Sequence, residues 1–175
     1  MNTLFIKKLL KFFFTFSFIF FLNDTSLFAA EKNLAWEIKC NKDNKKDCAL
    51  VTRIMQKDSD QMIATLMIQL GTITKNEKIE YVPVITALLP FGLDLQKNPL
   101  LQVDKKNIGN LIFKTCKIKE GCTAQIVTTD ETINKLIKGK VLSVFAGIHN
   151  NNKLTTFDFS LKDFNKNYKK LNLVK

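Results

Sequence analysis

The residue types that do most enzyme chemistry are sparse in this chain of 175 residues. The one histidine, His149, lies in an Asn-rich stretch that is typical of a solvated hairpin turn rather than of a positioned general base. Two aspartate pairs could supply acid–base catalysis without histidine. They are Asp58 with Asp60 and Asp94 with Asp104, although Asp beside Gly, Pro or Lys usually shapes a turn. We therefore expect no catalytic residues, and a hydrolase that uses paired carboxylates is the alternative.

Cofactor and metal signatures are also missing from the sequence. It contains no Gly-rich dinucleotide motif, no phosphate-binding loop, no His-Glu-x-x-His and no EF-hand pattern. The single histidine excludes a metal site built from several imidazoles. The cysteine spacings C-x7-C and C-x5-C do not match the closer spacing that zinc sites use. We expect neither a cofactor nor a metal ligand.

The four cysteines instead indicate two local disulfides. Cys40 and Cys48 bracket one polar, turn-like stretch, and Cys116 and Cys122 bracket another. Four cysteines allow three pairings. Cysteines that face each other across the two strands of a hairpin satisfy disulfide geometry, and this favours the local pairs Cys40–Cys48 and Cys116–Cys122. Such bonds persist in oxidising compartments.

The first thirty residues have the order of a secretory signal peptide. Three lysines precede an apolar run over residues 12–22, and Ala29 and Ala30 follow a polar stretch. As a helix the run would reach only about 16 Å, roughly half of a bilayer's hydrocarbon core, which is too short for a membrane anchor. We predict a signal peptide over residues 1–30 and an exported mature chain over residues 31–175, located in the periplasm, at the outer membrane surface or outside the cell.

The chain is strongly basic, but its cations do not form a nucleic-acid site. Its net charge of +11 becomes +9 once the three lysines and one aspartate of residues 1–30 are removed. Arg53 is the one arginine, whereas base and phosphate recognition favours arginine, so we expect no specific nucleic acid. Weak, salt-sensitive contact with an anionic membrane surface remains open. The candidate residues form one face of a terminal helix: Lys162, Lys166, Lys169 and Lys170.

About nine short segments of alternating polarity predict strands, and their spacing predicts an antiparallel β-sandwich or barrel-like single domain. Trp36 lies in the first of them, with its side chain expected in the core. Pro83 lies inside an apolar run over residues 79–88, and because proline cannot donate a backbone hydrogen bond we expect that run to be an edge strand or to contain a bulge.

Two short helices complete the predicted fold, one internal and one C-terminal. Thr128 and Glu131 have the spacing of a capping box at the start of the internal helix, and Gly139 marks its end. The C-terminal helix is predicted from apolar residues at helical spacing. They are Leu161, Phe164, Tyr168 and Leu171.

Several separate pieces of the sequence together resemble one family, the invasion-associated locus B proteins of alphaproteobacteria. No single piece is specific, but their order and spacing over Trp36–Phe164 are. The pieces are Trp36-x3-Cys40, Cys48, Leu89-Pro90-x-Gly92-x2-Leu95, Val103-Asp104, Phe113-x2-Cys116, Gly121-Cys122-x-Ala124, Leu136-x2-Gly139 and Ser160-Leu161-x2-Phe164.

The resemblance implies an exported, mainly β domain with two disulfides and, in pathogenic members, a contribution to host-cell entry. It implies no catalytic residues. Two positions depart from the family pattern, because Asn98-Pro99 and Asp163 stand where such sequences tend to have glycine. We therefore expect a non-enzymatic domain of the cell envelope that binds an unknown envelope or protein partner. A structural or stress-protective periplasmic protein is a further alternative.

Overall fold

A computed structural model describes residues 31–42, 47–151 and 153–172. The predicted signal peptide lies outside the described residues. The described part contains eleven strands and two helices. They are β1 (Glu31–Asn33), β2 (Glu37–Cys40), β3 (Cys48–Gln56), β4 (Met62–Lys75), β5 (Lys78–Leu89), β6 (Leu100–Val103), β7 (Lys106–Asn110), β8 (Ile112–Lys117), β9 (Gly121–Val127), α1 (Asp130–Lys138), β10 (Val141–Gly147), β11 (Leu154–Ser160) and α2 (Phe164–Asn172).

The strands form two antiparallel sheets, which confirms the predicted mainly β fold with one internal and one C-terminal helix. The larger sheet has seven strands in the order β1-β3-β4-β5-β9-β8, with β2 also paired to β3. The smaller sheet has the order β11-β10-β6-β7. Two strands exceed the nine expected. β1 precedes the first predicted strand, which begins only at Glu37 as β2, and β7 is polar and contains Gly109.

One buried apolar cluster joins both sheets and both helices. Side chains alternate between the two faces of a strand, so every second residue of β4, β5 and β10 contributes to it. In the larger sheet Leu66 is paired with Ala87 and Ile68 with Ile85, and all four side chains are fully buried. The alternation read from the sequence therefore places these strands correctly on the core.

The expectation that Pro83 marks an edge strand or a bulge is wrong, and the β4–β5 register is continuous through the pair Leu70 and Pro83. β5 lies inside the larger sheet, between β4 and β9. The carbonyl of Pro83 accepts a hydrogen bond from the Thr128 amide (2.8 Å), beyond the last β5–β9 pair at Val84 and Val127. Because the N and C=O of a strand residue point to the same side, the proline nitrogen faces away from β4, and no β4–β5 hydrogen bond is lost.

The internal helix is present, but its cap is one residue later than predicted. Thr129, not Thr128, is the N-cap, and its hydroxyl accepts a hydrogen bond from the Thr132 amide. Gly139 ends the helix as expected, although with an extended backbone (φ −81°) rather than a left-handed one. Glycine is needed there for space, since a Cβ would overlap the Val103 side chain.

Trp36, between β1 and β2, contacts β11 and α2. Its indole Nε1 donates a hydrogen bond to the Ser160 carbonyl (2.8 Å), and its ring meets Phe164 edge-on with a centroid separation of 5.1 Å. Phe164 in turn stacks on Tyr168 (5.6 Å). Trp36 is therefore buried in the core, as predicted, and it positions α2 against the larger sheet.

Candidate functional site

The structure does not bring Asp94 and Asp104, one pair of the carboxylate hypothesis, together. The amide of Asp94 donates to the carbonyl of Gly147, at the end of β10. The amide of Asp104 donates to the carbonyl of Val141, at its start. Six residue steps of a strand separate these points by about 20 Å. Paired catalytic carboxylates lie within about 10 Å of each other, so Asp94 and Asp104 do not form such a pair.

Asp94 is held as a charged carboxylate. The Lys97 ammonium (3.1 Å) and then the Gln96 amide (3.1 Å) lower the pKa of Asp94 below its ordinary value, and His149 adds a smaller effect of the same sign. A general acid needs a raised pKa, so this environment disfavours that role. His149 is exposed in the β10–β11 turn, where its amide donates to the Gly92 carbonyl (2.8 Å).

The other three aspartates serve the backbone or lie in turns. The carboxylate of Asp104 accepts hydrogen bonds from the amides of Lys140 (3.1 Å) and Val141 (3.0 Å). Asp58 and Asp60 are exposed in the turn between β3 and β4, where Asp58 has a positive φ of 63°. Asparagine and aspartate tolerate that conformation better than most residues.

The cysteines form the two pairs expected from the sequence. Cys40 is bonded to Cys48 across β2 and β3, and Cys116 to Cys122 across β8 and β9. Over the part of the chain that the structure describes, no group of three His, Cys, Asp or Glu side chains could hold a metal ion. In the same residues no helix is long and apolar enough to cross a bilayer.

The lysines proposed from the terminal helix are all exposed. Phe164, Tyr168 and Leu171 bury the opposite face of α2, as the helical spacing predicts. The four cations lie along the solvent side of the helix or just before it. They are Lys162, Lys166, Lys169 and Lys170.

The most prominent surface feature is a two-stranded arm, residues 71–82 of β4 and β5. Pairing of β4 with β3 ends at Gln69, and pairing of β5 with β9 ends at Val84, whereas β4 and β5 stay paired out to Lys75 and Lys78. The arm therefore extends about 17 Å beyond its neighbours within the described residues. Every residue from 72 to 81 is exposed.

The arm carries large apolar side chains into solvent. Tyr81 is 68% exposed and Ile79 is 69% exposed, and the two lie on the same face because they are two residues apart in a strand. Their partners across the arm are Thr72 and Thr74. The same face continues inward to the buried Ile85. The face of the larger sheet that packs on the core therefore continues along the arm, where Tyr81 and Ile79 are largely exposed.

A shallow groove of about 460 Å³ lies on the outer face of the larger sheet, with Met67 and Leu88 among its lining residues. Arg53, which also lines it, pairs with Glu37, and Lys39 pairs with the same carboxylate (3.3 Å). Asp47 also lines the groove, so these two cations and two carboxylates balance formally.

The Glu37 ion pair gives a testable pH dependence. The hydrogen bond from Arg53 lowers the pKa of Glu37 below its ordinary value, despite partial desolvation. A lowered folded-state pKa contributes stability above the unfolded pKa, and this contribution is lost as pH falls through the folded pKa. Because the pair is partly exposed, we expect Glu37→Gln to cost less than about 1 kcal/mol at pH 7 and nothing at pH 2. Urea unfolding at both pH values checks this, and an equal loss at both would contradict it.

The comparisons with known proteins agree with the pieces identified in the sequence. The family model "Invasion associated locus B (IalB) protein" matches residues 36–172. The chain belongs to the IalB family. Two invasion protein B homologues of Brucella abortus, from strain 2308 and from biovar 1 strain 9-941, are each 34% identical over 77 residues, which is 44% of this chain. The match likewise spans 44% of the length of these relatives.

A solved structure supports the fold of this IalB-family chain. The crystal structure of invasion associated protein b from Bartonella henselae is similar with a TM-score of 0.65 and 19% sequence identity. The similarity covers 82% of this chain and 97% of that one. At this identity the likeness concerns the fold alone.

The IalB-like pieces of the sequence contact one another in the fold. Trp36 binds Ser160 and packs on Phe164. Gly121 approaches the Leu89 carbonyl so closely that a Cβ would overlap its oxygen. Gly139 packs in the same way against Val103. The resemblance is therefore carried by residues that build the domain.

The structure explains one of the two departures from the family pattern. Asp163 precedes α2 with a left-handed backbone (φ 61°). A left-handed conformation is the one that favours glycine, which is the residue expected there from the resemblance. Aspartate can adopt it at modest cost.

Gly121 offers a test of these close contacts. Gly121→Ala adds both backbone strain, because φ is +106°, and a clash with the Leu89 carbonyl. Gly92→Ala is a matched control with a φ of +89° and open space around the new Cβ. We expect Gly121→Ala to lower the free energy of unfolding by about 1–3 kcal/mol more than Gly92→Ala does. Chemical denaturation measures the difference, and equal losses would show that the clash is absent.

Sequence reasoning missed most of the arm. The apolar alternation over residues 61–70 ends at Leu70, so it predicts a strand that stops there. Residues 71–75 are exposed or half-buried and so carry no pattern of burial. The available signal was the turn at Lys75-Asn76-Glu77, where Asn76 and Glu77 adopt positive φ and join two long strands.

Proposed function

We propose that this IalB-family protein is exported to the cell envelope and acts there by binding, without catalysis. Its relatives in Brucella abortus and Bartonella henselae are named for invasion, and this supports a contribution to host-cell entry. The dispersed aspartates and the exposed histidine support a non-enzymatic role. The β4–β5 arm is the observation that carries the proposal.

The arm has the properties of a contact element rather than of a structural one. Two-stranded ribbons are marginally stable alone in water, and exposed apolar side chains cost solvation free energy. Tyr81 and Ile79 nonetheless face solvent side by side. Tyrosine is enriched where one protein binds another, because it combines a large apolar ring with a polar hydroxyl. The partner we propose for the arm is a protein.

The open edges of the arm suggest how that protein is bound. Within the described residues, β4 beyond Gln69 and β5 before Val84 each have one side without a neighbouring strand. An extended segment of the partner can add to such an edge through main-chain hydrogen bonds. Tyr81 and Ile79 would then supply the side-chain contacts.

An entry assay tests the function of the arm. In a strain that lacks the gene, we expect wild-type protein to restore entry into cultured host cells and the double variant Ile79→Ser/Tyr81→Ser to restore it at least about tenfold less well. The control is Ile118→Ser/Leu154→Ser, which removes two side chains that are 89% and 67% exposed but lie outside the arm. Entry restored equally by both variants would contradict the proposal.

Export has its own test. We expect the protein to be recovered from the periplasm, the cell surface or the medium, with an N-terminus at Ala30 or Glu31 as N-terminal sequencing would show. A product recovered there that still begins at Met1 would contradict the predicted signal peptide.

A further inference from the structure

A basic pocket lies between the β6–β7 hairpin and the last turn of α1. Its volume of about 420 Å³ is within the range of small-molecule sites. Val103 and Ile108 provide apolar lining, and Lys106, Lys135 and Lys138 provide three ammonium groups. The absence of a side chain at Gly139 lets the end of the helix approach β6 this closely.

The acid in this pocket forms no ion pair with its lysines within the described residues, and the lining keeps an excess of positive charge. Asp104 is the one acidic residue among those that line it, and its two oxygens accept hydrogen bonds from the amides of Lys140 and Val141. Lys135 pairs with Glu131 on the exposed side of α1 (2.9 Å). Lys106 and Lys138 make no ion pair within the described residues. Two of the three ammonium groups are therefore available to an anion.

An amide group adds further donors beside these cations. The side chain of Gln102 donates to the Oδ1 of Asn107 (2.7 Å), so the oxygen of that amide is already used. The Nδ2 hydrogens of Asn107 are left to donate. Two ammonium groups and an amide NH2 match a group with several acceptor oxygens and negative charge, and a phosphate has both.

We propose that this pocket binds a phosphate monoester carried on an apolar body. The phosphate contacts Lys106, Lys138 and Asn107, and the apolar part lies on Val103 and Ile108. This chemistry is shared by soluble phosphorylated amphiphiles and by phosphatidic acid in a membrane. The proposal is independent of the β4–β5 arm and holds whether or not the arm binds a protein.

Two probes separate the sources of the phosphate. Phosphatidylcholine vesicles with and without phosphatidic acid test the lipid in co-sedimentation, and inorganic phosphate tests the soluble group by ¹H–¹⁵N NMR of the exported, oxidised protein. We expect Lys106→Gln/Lys138→Gln to weaken binding at least about tenfold. The matched control is Lys57→Gln/Lys153→Gln, which removes the same charge from two exposed lysines outside the pocket and should change binding less than about twofold.

The outcomes are distinct. Saturable chemical-shift changes of the backbone amides in residues 103–108 and 135–139, on addition of inorganic phosphate, support the pocket. This result needs no variant. Selective binding of vesicles that contain phosphatidic acid, lost in the pocket variant alone, supports a lipid source. Equal weakening by both double variants would mean diffuse attraction to net charge and would overturn the proposal. So would the absence of binding with both probes.

Discussion

Trp36→Ala is expected to lower the free energy of unfolding by about 3–5 kcal/mol, the usual cost of removing a large aromatic side chain from a core. The side chain is only 4% exposed and packs edge-on against Phe164, which is fully buried. Its loss also leaves the Ser160 carbonyl without the indole donor. Urea or guanidinium unfolding of the oxidised protein measures the change.

Trp36→Phe separates the two contributions of the indole. Phenylalanine keeps most of the ring contact with Phe164 but cannot donate to the Ser160 carbonyl, so we expect it to recover roughly half of the loss. Circular dichroism confirms that both variants are folded at zero denaturant. A loss below about 1 kcal/mol for Trp36→Ala would show that the indole is not the anchor of α2.

Removal of both disulfides is the second large effect. For such short loops the loop-closure entropy predicts about 2–3 kcal/mol per bond. The bonds lie on β3 and β9, three strand spacings apart across the larger sheet and about six residues apart along it. They are therefore roughly 25 Å from each other, and their effects should add. Replacing all four cysteines by serine is therefore expected to cost about 5 kcal/mol.

The double variants Cys40→Ser/Cys48→Ser and Cys116→Ser/Cys122→Ser should each give about half of that loss. The measurement is chemical denaturation of all three variants beside the wild type. If reduction of the wild type leaves its unfolding midpoint unchanged, the two disulfides do not stabilise the fold.

Much of the fold could be predicted because its signals are local. The alternation in β4 and β5 identifies which side chains face the core, and the spacing of Phe164, Tyr168 and Leu171 identifies the buried face of α2. The cysteine pairs needed only the proximity of each partner in sequence. Burial of alternating or helically spaced residues leaves a pattern that a single sequence retains.

The errors have a common physical cause, which is that neighbours in space override local propensity. The sequence predicts an edge strand at Pro83, yet β5 lies inside the sheet. Proline is accommodated there because its nitrogen faces away from β4. Thr128 and Thr129 can both act as N-cap residues. The backbone amide of Thr128 donates to the Pro83 carbonyl and so continues the pairing with β5, and the helix is capped by Thr129. Local pattern cannot rank such alternatives.

The two candidate binding surfaces were beyond sequence reasoning for different reasons. The arm is exposed on both faces, so residues 72–81 carry no pattern of burial. Lys106 and Lys138 are far apart in the sequence. They line the same pocket only because β6 packs beside the end of α1. Lys162, Lys166, Lys169 and Lys170 stood out in the sequence because they lie within nine residues of one another.

Site-specific photocrosslinking tests most directly whether the protein acts by binding through its arm. A photoreactive amino acid is placed at Tyr81, and in a separate variant at Ile118, a more exposed position outside the arm. After export, cells are irradiated in contact with host cells. We expect a discrete protein adduct from position 81 and none from position 118. No adduct from position 81, or the same adducts from both positions, would contradict the account.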